Sequence, residues 1–131
     1  MILTMLKGKI HRATVTMANV EYEGSISIDA DLLRAADILP YESVDVWDCT
    51  SGARLRTYAL EAEAGSGEIC VNGAAAHLAE PGDIIIIASF ASVPESMVDA
   101  FRPTVAFVDE KNRIQRIGVE VPGPHAHGDG C

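Results

Sequence analysis

Basic residues are scarce in this sequence: 10 Lys and Arg stand against 19 Asp and Glu, a formal net charge of −9. Binding to a phosphate backbone is driven by Lys and Arg neutralising phosphates, so this balance argues against a nucleic-acid partner. It leaves room for a small anionic substrate, because a few cations suffice for a local positive pocket. Aromatic residues make up only 5% of the chain, so aliphatic side chains must fill most of the core. There are three cysteines, Cys49, Cys70 and Cys131, an odd number with no C-x-x-C spacing. Two lie in apolar, strand-like runs, and reduced, buried thiols in a cytoplasmic protein are the expectation. No apolar run approaches membrane-spanning length, the longest being I-I-I-I-A-S-F-A from residue 84. The N-terminal M-I-L-T-M-L-K-G-K has no charged segment ahead of its apolar residues and no small-residue cleavage site, so it does not read as a signal peptide. A cytoplasmic protein with no membrane partner is expected.

What is present suits one domain: 131 residues, 48% hydrophobic and 22% charged. Residues 9–17 roughly alternate and are rich in β-formers, which predicts a strand, and Tyr22 to Ile28 form a second β-like stretch with Gly24 as its weak point. Asp29 caps a short helix carrying Leu32, Leu33 and Ala36, closed by Pro40. S-V-D-V-W-D-C-T from residue 43 and R-L-R-T-Y-A-L-E-A from residue 54 alternate about a Ser-Gly turn and predict a hairpin. E-I-C-V-N from residue 68 predicts a strand, and G-A-A-A-H-L after it one or two helical turns. The run at residue 84 predicts a strand buried on both faces. Ser92 with Glu95 three residues on reads as a helix start. T-V-A-F-V-D, an E-K-N-R turn and I-Q-R-I-G-V-E-V predict two last strands. Many short strands with few helices predict a small, mainly β barrel. Its domain spans 1–117, and residues 118–131 are expected to form a disordered tail.

One dipeptide raises a chemical question. In Y-E-G-S-I, Gly24-Ser25 sits between β-prone runs. Both residue types are common in turns, and most such pairs do nothing else. A serine hydroxyl can, however, attack the carbonyl of the residue before it and turn the amide into an ester. Glycine at that preceding position leaves the carbonyl open, and a donor must stabilise the developing oxyanion. β-Elimination would then split the chain and leave dehydroalanine, which hydrolyses to a pyruvoyl ketone. Such a ketone forms an imine with an amine substrate and withdraws electrons, the role pyridoxal phosphate plays elsewhere.

Composition and periodicity do not show this chemistry; a resemblance implies it. M-L-K-G-K-I-H-R-A-T-V-T, Y-E-G-S, D-V-W, R-T-Y-A, V-N-G-A-A-A-H and G-D-I-I-I-I-A-S-F occur in one order between Met1 and about Val108. In these motifs and their spacing the chain resembles the pyruvoyl-dependent aspartate 1-decarboxylases, which make β-alanine and CO2 from L-aspartate for pantothenate and coenzyme A synthesis. The residues from Gly118 onward carry no matching motif.

The resemblance implies a six-stranded double-psi β-barrel and a homotetramer with active sites at subunit interfaces. It implies self-cleavage between Gly24 and Ser25 into chains 1–24 and 25–131, with Ser25 becoming the covalent pyruvoyl group that forms a Schiff base. Neither metal nor pyridoxal phosphate is implied. Tyr58 matches the proton donor, and Thr57 a residue beside the cleavage site that contacts substrate. Gly73, Ala74 and Ala75 match the substrate-binding loop, Lys9 and Arg54 the cations that hold two carboxylates. Asn72 matches a supporting donor to the cleavage oxyanion. His11, Tyr22 and Trp47 match positions around the pocket, Trp47 from a neighbouring subunit.

Each residue has an ordinary structural explanation as well: strand packing for Thr57, Tyr58 and Trp47, surface charge for Lys9 and Arg54, a tight loop for residues 73–75. On a regular strand Arg54 and Tyr58 share a face that Thr57 does not, so a bulge or two separate sites is needed. In the tail, His125, His127 and Cys131 form an H-x-H…C pattern, but glycine-rich surroundings rarely preorganise a metal site. Three rivals remain at this stage: a non-catalytic barrel that binds a ligand, a pyruvoyl decarboxylase of another small amino acid, and a nucleic-acid-binding barrel that the net charge disfavours.

Overall fold

The computed structural model describes residues 1–120. In chain order its strands are β1 (Ile2–Thr14), β2 (Met17–Asn19), β3 (Ser25–Asp29), β4 (Ser43–Asp48), β5 (Arg54–Ala62), β6 (Ile69–Asn72), β7 (Ile84–Pro94), β8 (Thr104–Val108) and β9 (Ile114–Gly118). One short helix, α1 (Ala30–Ala35), and two 3-10 turns, Gly73–His77 and Glu95–Met97, complete the described residues. The protein is therefore mainly β, as expected, but with nine strands rather than six. No helix among the described residues is long and apolar enough to cross a membrane.

The strands lie side by side in the order β2-β6-β3-β5-β4-β7-β1-β8-β9. β5 is the corner strand. Residues from Arg54 to Tyr58 pair antiparallel with β4, and those from Ala59 to Ala62 pair parallel with β3. The β2 end of the sheet is tied back to β1 through the chain itself, because β1 runs on into β2. At that crossing Thr16 accepts from and donates to Ile69 through its hydroxyl, both at 3.0 Å, and its backbone N–H donates to the Ile69 carbonyl at 2.9 Å. The result is barrel-like.

Register explains which side chains face inward. Ile10 pairs with Ile87, Ile87 with Val46 and Val46 with Leu55, a row across four strands that forms part of the core. Ile26, Ile28, Ile69 and Val71 extend that core, all at most 1% exposed. Side chains alternate along a strand, so Lys9, Trp47, Arg54 and Tyr58 fall on the opposite face.

α1 begins as its sequence predicts: the Asp29 carboxylate accepts from the Asp31 N–H at 2.8 Å. The same buried carboxylate also accepts from Gly65 and Gly67 N–H at 3.0 and 2.8 Å, so the cap doubles as an anchor for the 63–68 loop. α1 stops before Pro40, with Asp37 at a φ of 58°. Asn112, buried and at a φ of 60°, bonds both backbone groups of Thr14 and the Gly67 carbonyl.

Several local expectations change. The first strand starts at Ile2, because its early residues pair with the far end of β7. That pairing also removes the helix start expected at Ser92: Ser92 pairs with Thr4, and β7 continues to Pro94. The second β-like stretch begins only at Ser25, since residues 20–24 form an exposed turn. Cys70 is a buried free thiol. Cys49, in contrast, lies exposed after β4, so the expected burial is not found for it. Of the expected tail, Gly118 ends β9 and Val119 and Glu120 are described, while residues 121–131, with the H-x-H…C pattern, lie outside the described residues.

Candidate active site

Between Gly24 and Ser25 the chain passes from an exposed turn to a fully buried strand. Gly24 is exposed, whereas Ser25, the first residue of β3, is 1% exposed. β3 pairs antiparallel with β6, Ser25 opposite Asn72 and Ser27 opposite Cys70. Alternation then puts one polar quartet on one face of this ladder and the Ile26–Val71 and Ile28–Ile69 pairs on the core face. Asn72 Nδ2 donates to Ser25 Oγ at 2.9 Å and to Ser27 Oγ at 3.1 Å, and its Oδ1 accepts from Cys70 Sγ at 3.1 Å. Asn72 stands at the N-cap position of the 73–77 turn yet caps nothing, because its side chain is committed to Ser25. The bond reaches the serine oxygen itself.

Gly73 follows at a φ of 68°. A Cβ there would lie 2.6 Å from Gly24 N, 2.7 Å from Gly24 Cα and 2.8 Å from the Tyr22 carbonyl oxygen. Glycine at 73 is thus required twice, by its left-handed backbone and by contact with the 22–24 turn. Gly24 itself differs: a Cβ there would meet nothing within 4 Å, and its φ is not left-handed. Packing does not demand glycine at 24; the space around it is simply open. Ala74 is exposed and Ala75 half-buried in the turn that follows.

Tyr58 belongs to the same neighbourhood. In the parallel β3–β5 pairing Ile26 lies opposite Ala59, which puts Ser25 level with Tyr58 on the face away from the core. Tyr58 is 37% exposed. β5 keeps a continuous register against β4, so Thr57, opposite Val44, faces the other way. No bulge resolves the opposed faces of Tyr58 and Thr57.

The cations lie elsewhere. Trp47 pairs with Ile86 and with Arg54, whose guanidinium stacks over the indole at 5.1 Å. Trp47, Arg54, Ile86 and the 48–53 turn line a cleft of about 370 Å³. Lys9, on β1 opposite Ala88, is buried and forms a 2.5 Å ion pair with Glu120. His11 is buried two residues on, its ring edge against Phe107 at 5.4 Å between centroids. Arg12, at a φ of 64°, bulges β1 immediately after His11. Arg54 is four residues along β5 from Tyr58, about 13 Å at the usual strand rise. Lys9 is three strands from β5, about 14 Å at the usual spacing.

One chain therefore carries two clusters: Tyr22, Gly24, Ser25, Tyr58, Asn72 and Gly73 at the Gly-Ser bond, and Lys9, His11, Trp47 and Arg54 on the outer sheet face. Beside the second, burial first and the neighbouring Asp83 carboxylate next push the Asp48 carboxyl above its usual range. Sequence reasoning did not single out Ser27, Cys70, Ile86 or Glu120. The first two become visible only once the β3–β6 register is known.

A sequence model of the aspartate decarboxylase family matches residues 1–115. An aspartate 1-decarboxylase of Myxococcus xanthus is 60% identical over 121 residues, covering 92% of this chain and 93% of the relative. One from Legionella pneumophila strain Lens is 59% identical over 88% of this chain and 87% of its own, and one from Rhodopirellula baltica 50% identical over 95% and 80%. With its motifs, its mainly β fold and these relatives in agreement, the chain belongs to the aspartate decarboxylase family.

Proposed function

We propose that this chain decarboxylates L-aspartate to β-alanine and CO2, supplying pantothenate and hence coenzyme A synthesis in the cytoplasm, on a pyruvoyl group made from its own Ser25. The observation that carries the reading is the buried Ser25 hydroxyl, hydrogen-bonded to Asn72 immediately after an exposed glycine. The niche suits the group. An Asn72 N–H is aimed at residue 25, the far wall of the niche is a backbone approach that only glycine permits, and the space beside Gly24 is open.

In the self-cleavage step, Ser25 Oγ attacks the Gly24 carbonyl carbon, the C–N bond breaks, and the hydroxyl proton passes to the freed amine. Loss of the Ser25 Cα proton then expels Oγ as part of the Gly24 carboxylate. Water hydrolyses the remaining enamine, after tautomerisation, with release of ammonia. The Asn72 N–H stabilises the charge that develops on Oγ as it leaves in the elimination that splits the chain.

Once formed, the pyruvoyl ketone supplies an electron sink for the amine substrate. The chain's own residues do the rest. Lys9, as a compact charge, and Arg54, through its planar fork, hold and orient the carboxylates. Stacking on Trp47 keeps the Arg54 guanidinium in place. Gly73, Ala74 and Ala75 bind substrate beside residue 25, and Tyr58 delivers the proton taken up at the carbon that loses CO2. Thr57, on the other face of β5, does not share that side of the strand. His11 and Tyr22 border the pocket.

About 13 Å of strand separates Tyr58 from Arg54, too far for one aspartate to span easily within a chain. A homotetramer resolves this by setting one protomer's cation cluster against its neighbour's cleavage cluster. The face that would dock is already apolar: Trp47 and Phe90 lie 6.4 Å apart between ring centroids, with Ile2, Phe90 and Tyr58 exposed.

Intact mass under denaturing conditions tests the reading. Fragments 1–24 and 25–131, the second with the mass of a pyruvoyl group at its start, are expected, together with CO2 release from L-aspartate and little from L-glutamate. A Ser25→Ala chain that is cut and fully active would refute it.

A further inference from the structure

The Asn72 side chain is the one group that touches the Ser25 oxygen through a described bond, and a carboxamide has two orientations. In the observed one an N–H points at Ser25 Oγ. Turned over, Oδ1 would face Ser25 and accept the hydroxyl proton instead. Only the observed orientation stabilises the negative charge that Oγ gains as it leaves in the chain-splitting elimination, so whatever selects it sets the rate of cleavage.

Cys70 makes that selection, while Ser27, whose hydroxyl can accept or donate, holds the plane of the amide. Cys70 Sγ lies 3.1 Å from Oδ1, and Ser27 Oγ takes the second Nδ2 proton at 3.1 Å. A protonated thiol donates and accepts only weakly, and a carbonyl oxygen only accepts. Turning the amide would therefore exchange the S–H···O bond for, at best, a weaker N–H···S contact. The thiol is kept protonated by its surroundings: burial first, and the Glu68 charge next, push Cys70 above the usual thiol range. Backbone pairing holds the four side chains in register, Ser25 with Asn72 and Ser27 with Cys70, and Cys70 and Asn72 are 4% and 3% exposed, so water has little access to compete.

We infer that Cys70 and Ser27 are positioning residues for self-cleavage, which lock the Asn72 carboxamide with one N–H on Ser25 Oγ. Neither touches the Gly24–Ser25 bond; they act through Asn72. The inference rests on the proposed self-cleavage.

The test follows conversion of the full chain into 1–24 and 25–131 by intact mass at timed intervals after cell-free synthesis. Cys70→Ala and Ser27→Ala are expected to cleave about five- to twenty-fold more slowly, the loss associated with one buried hydrogen bond. Cys70→Ser, which restores a donor, is expected to stay within about threefold of the unaltered chain. A packing role predicts another order, with Cys70→Ser no better than Cys70→Ala. That order, or Ala variants as fast as the unaltered chain, overturns the inference. Should Cys70→Ala fail to fold, Ser27→Ala at its half-buried site decides: slow cleavage supports the lock and unchanged cleavage removes it. An unaltered chain that never cleaves sinks the self-cleavage reading itself, an outcome distinct from all of these.

Discussion

Replacing Gly73 by alanine puts a methyl group where the cleavage turn already is. Its Cβ would stand 2.6 Å from Gly24 N and 2.7 Å from Gly24 Cα, on a backbone held at a φ of 68°. The left-handed conformation costs an alanine about 1–2 kcal/mol, and forcing a methyl into packed space typically costs about 1–3 kcal/mol. The 22–24 turn is exposed and can retreat, so the lower half of the combined range applies, about 2–3 kcal/mol. For a domain of this size that corresponds to a fall in Tm of roughly 5–15 °C. Melting should be followed in a Ser25→Ala background, where cleavage does not intervene. The kinetic effect should be larger. Restoring an ordinary contact moves Gly24 by roughly 1 Å, and misplacement on that scale costs on the order of a hundredfold in rate. Gly24→Ala is the matched control for stability, because its Cβ meets nothing within 4 Å, and it should melt within a degree or two of its parent. A Gly73→Ala chain that melts and cleaves like the unaltered one would refute the claim that the two backbones touch.

Two further outcomes follow from the cation face. Glu120 occupies Lys9 through a pair whose acidic partner is 41% exposed, so solvent screens it. If Lys9 binds a substrate carboxylate, Glu120→Gln should lower the KM for L-aspartate about two- to fivefold at unchanged kcat, and an unchanged or higher KM would count against it. Asp48 binds its proton more tightly folded than unfolded, so its contribution to stability is greatest in acid and is lost as pH rises from the unfolded value, about 3.9, through the raised folded one. Asp48→Asn keeps an acceptor for the Thr50 and Ser51 N–H groups, so its urea midpoint at pH 7 should equal or exceed the parent's, with a flatter decline between pH 4 and 7. A large loss at pH 7 would refute that sign.

Local patterns were legible where short-range physics decides. The Asp29 cap, the 43–58 hairpin and the burial of residues 85–89 of β7 on both faces appear where alternation and capping put them. Ser92 misled because a capping pattern is a local preference, and ten backbone pairings between β1 and β7 outweigh it. The first strand was underestimated for the same reason, since its early residues are strand only by pairing with β7.

The sequence by itself determined the family, through motifs that persist from Met1 to about Val108, and with it the bond to examine and the residues around it. It could do so because chemistry restricts which residue types stand at those positions. Tertiary structure decided how those residues meet. Asn72 reaches Ser25 across 47 residues, with Cys70 and Ser27 behind it, only because β3 and β6 pair in one register. Thr57 turns from Tyr58 because β5 runs without a bulge, Lys9 stands several strands from Ser25, and Arg54 stands four residues along β5 from Tyr58. Hydrogen-bond register between distant segments is a property of the folded sheet, set by which apolar faces must be buried together, and no window of local sequence contains it.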